Sequence, residues 1–351
     1  MTASTPATPG MPTTSGTAPT MVVTECDHDA FLQEEDVART AGVTFRVEQA
    51  HDRAALESAC ADADGILVQY ATIDGPLMDA LPRLRVVGRY GVGVDSVDVQ
   101  AATERGIAVC NVPDYGTEAV SDHAIGLALA VARGIPLLDR GVRAGRVDLP
   151  KVRPLHQIAG RTFGVVGLGR IGQATARKAA GLGYDVVGFD VLATPGTDYR
   201  GVRAVTLEEL CATADVVSVH VPLHEGTRGM IGTDQLASMR PTAVVVNTAR
   251  GGVVDTEALV AALERDAIGG AAIDTHDVEP LPTDHPLTRF DNVVLTPHLA
   301  WYTEESYREL KRRTAQNVVD VLAGSPPREV VNPEAWGRGR TAHLATKPIG
   351  A

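Results

Sequence analysis

The sequence predicts an α/β fold built from two doubly wound parallel sheets. Two series of short β-rich runs alternate with helical patterns, on either side of an Arg-, Gly- and Pro-rich stretch over 140–160. Such alternation with short connections gives a parallel sheet covered by helices on both faces. Composition agrees: 44% of residues are hydrophobic but only 4% aromatic, so Val, Ala, Leu and Ile must build the core. Strands buried on both faces favour those residues. With 351 residues the chain is long enough for two domains, each with its own core.

Residues 1–20 hold Thr, Pro, Ala, Ser and Gly without charge or an apolar run. They read as a disordered tail and lack the basic start and apolar stretch of a secretory signal. Met21 or Met11 then offers an alternative natural start. The first series places strands at 21–25, 44–48, 65–70, 85–90 and 107–112, with helices at 29–41, 53–62, 74–81 and 98–105. A long helix is expected over 117–133. Glu118 and Asp122 suit its first turn, and its wide Ala/Leu/Ile face predicts burial between domains or between subunits. The stretch 140–160 reads as a loop. The second series has strands at 162–167, 185–190, 215–221, 243–248, 270–274 and 292–296. A last helix over 303–323 is spaced by Leu310, Ala315, Val318, Val319 and Leu322. Beyond Ser325 the chain leaves the core, and 336–351 read as a disordered tail.

The formal net charge is −12, which leaves no basic excess to replace counterions on nucleic acid. Cys26, Cys60, Cys110 and Cys211 are scattered without a C-x-x-C pair. They read as buried thiols of a reducing, cytoplasmic compartment. The longest apolar stretch, Ala124 to Leu138, is interrupted by Arg133 and too short to span a bilayer.

The chemistry begins at T-F-G-V-V-G-L-G-R-I-G. Gly167, Gly169 and Gly172 follow a strand and open a helix. Such glycines permit a tight turn, close approach of backbone to a pyrophosphate, and helix–strand packing. Free N–H groups at the helix start then face the phosphates. Asp190 ends the next strand, eighteen residues past Gly172. An acid there accepts ribose hydroxyls and repels a 2′-phosphate. Val191 and Leu192 follow, so no adjacent Arg is offered, and NAD is expected over NADP. No nucleoside-triphosphate loop and no G-x-S-x-G elbow occur.

Three later segments each fall at a predicted strand end, where open α/β sheets bind ligands: V-V-V-N-T-A-R-G-G around Arg250, A-A-I-D-T-H-D-V-E-P around Glu279, and V-V-L-T-P-H-L-A-W around His298. Arg can hold a carboxylate through paired charge-assisted bonds. His titrates near neutrality and can donate or accept a proton. A neighbouring Glu favours the imidazolium and fixes its tautomer.

With the phosphate loop, N-T-A-R-G-G, D-V-E-P and T-P-H present in order, the sequence resembles the D-isomer-specific 2-hydroxyacid dehydrogenase family over residues 22–332. The resemblance implies Arg250 as substrate anchor, His298 as acid/base and Glu279 as its partner. It implies a substrate loop at Tyr90, Gly91, Val92 and Gly93. It implies NAD contacts from Val92, Arg170, Ile171, Asp190, Thr227, Thr248, Ala249 and Asp274, with His220 and Pro222 on the adenine side. It implies a Rossmann dinucleotide domain over 117–300, a flavodoxin-like substrate domain over 21–116 and 301–335, a homodimer, and no metal. His220 and His224 are separated by Pro222, and His276, Asp277 and His285 read as a polar loop.

The implied reaction interconverts a 2-keto acid and a D-2-hydroxy acid with NAD(H). Within the family, C-N-V-P, G-L-G-R-I-G-Q-A and P-H-L-A-W-Y-T-E-E resemble the C-terminal-binding-protein branch, with Trp301 three positions after His298. Trp301 then lies beside the substrate side chain or in domain packing. This likeness keeps open an NAD(H)-responsive, corepressor-like binding protein. V-V-G-R-x-G-V-G-V-D at Val86–Asp95 is shared with phosphoglycerate dehydrogenases, which usually carry Arg where this chain has Gln69. The chain also ends without room for their regulatory domain. Arg89 is a possible second cation. Oxidation of a small oxyanion is a further alternative. Substrate side-chain choice is expected from Tyr70, Tyr90, Tyr115, Trp301 and Tyr302.

Overall fold

A computed structural model describes residues 18–146, 152 and 154–344. Residues 1–17 of the expected tail over 1–20, 147–151 and 153 of the expected loop, and 345–351 of the expected tail over 336–351 lie outside the described residues. The chain divides into two compact units, Met1–Pro113 with Leu310–Ala351, and Asp114–Glu309. These boundaries fall three residues before and nine residues after those expected at 116 and 300.

In the first unit, β1 (Thr20–Val23), β2 (Thr44–Val47), β3 (Gly65–Val68), β4 (Val86–Arg89) and β5 (Ala108–Cys110) form one parallel sheet in the order β2-β1-β3-β4-β5. α1 (Leu32–Ala41), α2 (Arg53–Ala59), α3 (Gly75–Ala80) and α4 (Val99–Arg105) connect them. Asp52, Asp74 and Asp98 cap the last three helices by accepting the N–H three residues on, which satisfies an otherwise orphaned donor. One sheet face packs through Ile66, Val68, Leu77, Met78, Leu81 and Val87. Val318, on the long helix α11 (Glu304–Leu322), closes the other face. The approach is close enough to require glycine: a Cβ at Gly65 or Gly88 would lie 2.6 or 2.7 Å from Val318.

The second unit opens with α5 (Thr117–Ala132) and α6 (Ile135–Arg143). Its sheet strands are β6 (Thr162–Val166), β7 (Asp185–Phe189), β8 (Asp198–Tyr199), β9 (Val202–Ala204), β10 (Val216–Val219), β11 (Val244–Asn247), β12 (Gly270–Ile273) and β13 (Val293–Leu295). Their order is β13-β12-β11-β10-β6-β7-β9-β8, parallel apart from the β8–β9 hairpin. Connections leave β6 toward β7 on one side and return to β10 on the other. This order reversal opens a crevice at the carboxyl ends of β6 and β10. α7 (Arg170–Gly181), α8 (Leu207–Thr213), α9 (Thr233–Ser238) and α10 (Thr256–Glu264) complete the layers. Ala124, Leu127 and Ala128 of α5 pack with Ala176 and Ala179 of α7 on one face, while Leu210, Leu236, Leu259 and Leu263 cover the other.

Three features depart from the sequence reading. The expected loop from 140 begins as the end of α6, whose Pro136 sits in its first turn, where no N–H is needed. The β8–β9 hairpin is too short to carry a strand pattern. Residues 336–344, expected as part of a disordered tail, form turns and a short 3-10 helix at Gly339–Thr341, anchored by two side chains. The Arg340 guanidinium donates to the carbonyls of Leu81, Leu84 and Met78, and Thr341 is buried with its hydroxyl on the Ala335 carbonyl. An arginine that looks solvated in sequence is satisfying helix-end carbonyls.

Candidate active site

β6 runs into Gly167, whose φ of 95° few other residues adopt. A Cβ at Gly172 would fall 1.9 Å from the Gly167 carbonyl oxygen, so α7 rests directly on the turn. Gly169, by contrast, has nothing within 4 Å of its would-be Cβ and leaves an open face. Among the described residues, the N–H groups of Gly169, Arg170 and Ile171 make no hydrogen bond. A helix start with unpaired donors and an open glycine face fits a pyrophosphate.

At the end of β7, Asp190 accepts the Leu168 N–H through Oδ2 and the Leu192 N–H through Oδ1, both at 2.9 Å. Thr248, just past β11, has a buried hydroxyl with no partner among the described residues. It suits a ligand that supplies one. Ala249 follows, half-buried, its N–H on the Asn247 side chain. His220, after β10, meets the Ser218 hydroxyl at 2.9 Å. Burial pushes its imidazole down to about 4, so it is neutral at physiological pH. Thr227 donates to the Pro222 carbonyl and accepts the His224 N–H, fixing that loop.

Arg250, Glu279 and His298 follow β11, β12 and β13, three adjacent parallel strands. Asn247 braces the first by donating to the Arg250 carbonyl at 2.8 Å. Gly251 lies so close to the His276–Asp277 backbone that a Cβ would come within 2.3 Å of it. That contact seats the Arg250 loop beneath the Glu279 loop. Glu279 Oε2 lies 2.8 Å from Nδ1 of His298, and its Oε1 accepts the His276 N–H at 2.9 Å. Partial burial works against the Glu279 charge, but the His298 and His276 contacts outweigh it and hold the carboxyl below its usual range. With Nδ1 engaged, Nε2 is the ring nitrogen left for proton exchange.

Asp274 directly follows β12. Its carboxylate is fully buried. It accepts the Thr296 hydroxyl at 2.6 Å and the N–H groups of Leu299 and Ala300 at 3.1 and 3.0 Å. It shapes the turn at His298, which has a φ of 55°. Trp301 packs among Tyr115, Tyr302 and Tyr307, with ring centroids 5.7–6.2 Å away. His224 and His285 accept nearby backbone N–H groups. Among the described residues no group of His, Cys, Asp and Glu is arranged to hold a metal ion. The four cysteines are free and buried, and no described helix is long and apolar enough to cross a membrane.

In the first unit, the Gly91 carbonyl accepts the Val112 N–H and the Val92 carbonyl accepts the Asn111 amide. The N–H groups of Gly91, Val92 and Gly93 make no hydrogen bond among the described residues. Such a run of open donors suits a carboxylate. Tyr90 itself is buried, its hydroxyl donating to Glu34 at 2.9 Å, so its ring is not a substrate surface. Exposed Tyr70 donates to Asp27 at 3.0 Å and accepts from Gln69 at 2.9 Å. The Arg89 guanidinium lies against the Cα of Gly91.

Sequence reasoning missed two groups. Asn247, inside the N-T-A-R motif, was visible as a side chain able to brace its own loop. Arg200 was hidden, because only the β8–β9 hairpin brings its guanidinium to within 3.5 Å of the Leu168 carbonyl.

The chain matches the D-isomer specific 2-hydroxyacid dehydrogenase NAD binding domain over residues 125–300. It is 42% identical to the glyoxylate reductase of Thermofilum pendens, across 75% of this chain and 79% of that protein. The chain belongs to the D-isomer specific 2-hydroxyacid dehydrogenase family. The dehydrogenase is also 38% identical to the D-3-phosphoglycerate dehydrogenase of Archaeoglobus fulgidus, over 85% of its own length but 56% of that relative's. Among solved structures it is similar to an NADPH-dependent glyoxylate/hydroxypyruvate reductase of Sinorhizobium meliloti in complex with NADP and malonate. That match has a TM-score of 0.78 and 32% identity, covering 91% of this chain and 98% of the other. The enzyme is an NAD(P)-dependent oxidoreductase of 2-keto and 2-hydroxy acids, and its second unit contains the family's NAD-binding domain.

Proposed function

We propose that the enzyme reduces a small 2-keto acid with an uncharged side chain to the D-2-hydroxy acid. His298 is the proton donor, Arg250 the carboxylate anchor, and Glu279 the group that orients His298. The observation that carries this is the 2.8 Å contact between Nδ1 of His298 and Glu279, which leaves Nε2 for the carbonyl oxygen. The bound nicotinamide supplies or accepts the hydride. Gly167, Gly169, Arg170, Ile171, Gly172, Asp190 and Thr248 hold the dinucleotide, while His220, Pro222 and Thr227 border its adenine end. An uncharged side chain is supported by Gln69, where phosphoglycerate dehydrogenases usually carry arginine. Similarity to a glyoxylate reductase supports it further.

A panel of glyoxylate, hydroxypyruvate, pyruvate and phosphohydroxypyruvate with NADH, ranked by kcat/KM, tests this. Preference for the phosphorylated acid would overturn it. Exposed Ile135 and Val142 on α6 support a homodimer, which sedimentation would read directly. A cytoplasmic location rests on the free thiols. A corepressor-like role rests on the Trp301 likeness alone, and NADH-dependent peptide capture would test it.

A further inference from the structure

We propose that Arg200 lets the adenosine end of the dinucleotide site hold a 2′-phosphate, so that the enzyme takes NADP(H) as well as NAD(H). The inference rests on the dinucleotide site assigned above. Its starting point is one residue of the phosphate loop, Leu168, which is gripped from both sides. Asp190 Oδ2 accepts the Leu168 N–H at 2.9 Å, and Arg200 Nη1 approaches the Leu168 carbonyl at 3.5 Å. An anion and a cation therefore flank the same peptide unit, beside the strand end where the ribose hydroxyls are bound.

The two groups do not neutralise each other. Among the described residues neither Asp190 nor Arg200 makes an ion pair: the Asp190 carboxylate accepts only backbone N–H groups, and the Arg200 guanidinium meets the Leu168 carbonyl and the Tyr199 ring. Nearby cations are otherwise committed or elsewhere: Arg203 pairs with Glu209, and Arg170 stands at the start of α7, on the pyrophosphate side. Asp190 alone accepts ribose hydroxyls and repels a 2′-phosphate. A guanidinium within reach of the same ribose offers a planar fork matched to phosphate oxygens.

The hairpin itself marks Arg200 as unusual. Asp198 pairs with Arg203 and Tyr199 with Val202, leaving Arg200 and Gly201 as a two-residue turn. Both have positive φ, 56° and 83°. Turns of that shape favour Asn-Gly or Gly-Gly, because a long side chain gains nothing from the left-handed region. Here the first position holds an arginine, whose guanidinium lies over the Tyr199 ring at 5.1 Å and reaches back to the phosphate loop. A turn placed ten residues beyond Asp190 thus delivers the cation that the strand end lacks.

Titration calorimetry of the full-length protein with 5′-ADP and with adenosine 2′,5′-bisphosphate tests the proposal without any turnover. Wild type should bind the bisphosphate within about tenfold of 5′-ADP. Arg200→Gln should weaken the bisphosphate at least about tenfold more than it weakens 5′-ADP, as loss of a charge-assisted pair requires. Asp190→Asn should tighten the bisphosphate relative to 5′-ADP. Equal effects of Arg200→Gln on both ligands would overturn the inference, as would a wild type that binds 5′-ADP but not the bisphosphate. If neither ligand bound wild type, the dinucleotide site itself would be wrong and this inference with it.

Discussion

The main-chain N–H of His298 donates to the Asp274 carbonyl at 2.7 Å, while the Asp274 carboxylate holds the next two N–H groups, of Leu299 and Ala300. One buried residue thus fixes a left-handed histidine from both ends of its turn. Asp274→Ala should leave those donors and the Thr296 hydroxyl unpaired and cost about 3 kcal/mol of stability. Urea unfolding should show this, and kcat should fall more than KM changes, because the proton donor loses its aim. Asp274→Asn, which keeps one acceptor oxygen, should recover part of both losses.

The phosphate loop separates two glycine roles. Gly172→Ala puts a methyl 1.9 Å from the Gly167 carbonyl, so both thermal stability and NADH affinity should drop. Gly169→Ala meets no protein atom within 4 Å and should melt near the wild-type temperature while binding NADH at least about tenfold more weakly. Melting curves and NADH fluorescence titration distinguish the two. An equal loss of stability in both variants would remove this division of labour.

Two histidines whose pKa is lowered by desolvation, one in each unit, make stability fall in mild acid. Burial lowers His28 to about 4, helped by Lys311, and burial alone lowers His220 to about 4. Their folded values lie below the unfolded value of about 6.5. The stability they protect is therefore complete above that pH and is lost as pH falls toward 4. Between pH 7 and 5 each should cost about 2 kcal/mol. His28→Gln and His220→Gln should each flatten the pH dependence of the urea midpoint in that window.

Glu279 acts in a lower window. Its folded carboxyl lies below the usual range, so its contribution is present above the unfolded value of about 4.3 and is lost as pH falls through the folded one. The melting-temperature gap between wild type and Glu279→Gln should be open at pH 6 and closed near pH 3.

Much of the site is legible in sequence because its signals are local. Gly167 answers a local demand for positive φ and Gly172 the close approach of the Gly167 carbonyl, while Gly169 follows the same short spacing and leaves an open face. Arg250 and His298 follow valine-rich strands and Glu279 the Gly-Ala-Ala-Ile strand, so the strand ends announce all three. What stayed hidden depends on contacts between distant segments. Arg200 acts through a hairpin with no periodic pattern, and Arg340 caps a helix some 260 residues earlier in the chain. Asp274 sits in a motif that reads as a ligand contact, and its hold on the Leu299 and Ala300 N–H groups is visible only in the fold. Tyr90 reads as a pocket residue until its hydroxyl is found on buried Glu34.

The central claim is that His298 donates the proton. His298→Ala, assayed by single-turnover reduction of glyoxylate together with NADH titration, tests it most directly. The expected result is a loss of about 10³-fold in the reduction rate, with NADH affinity changed far less than the rate. A variant that reduces the keto acid within about tenfold of the wild-type rate would contradict the assignment.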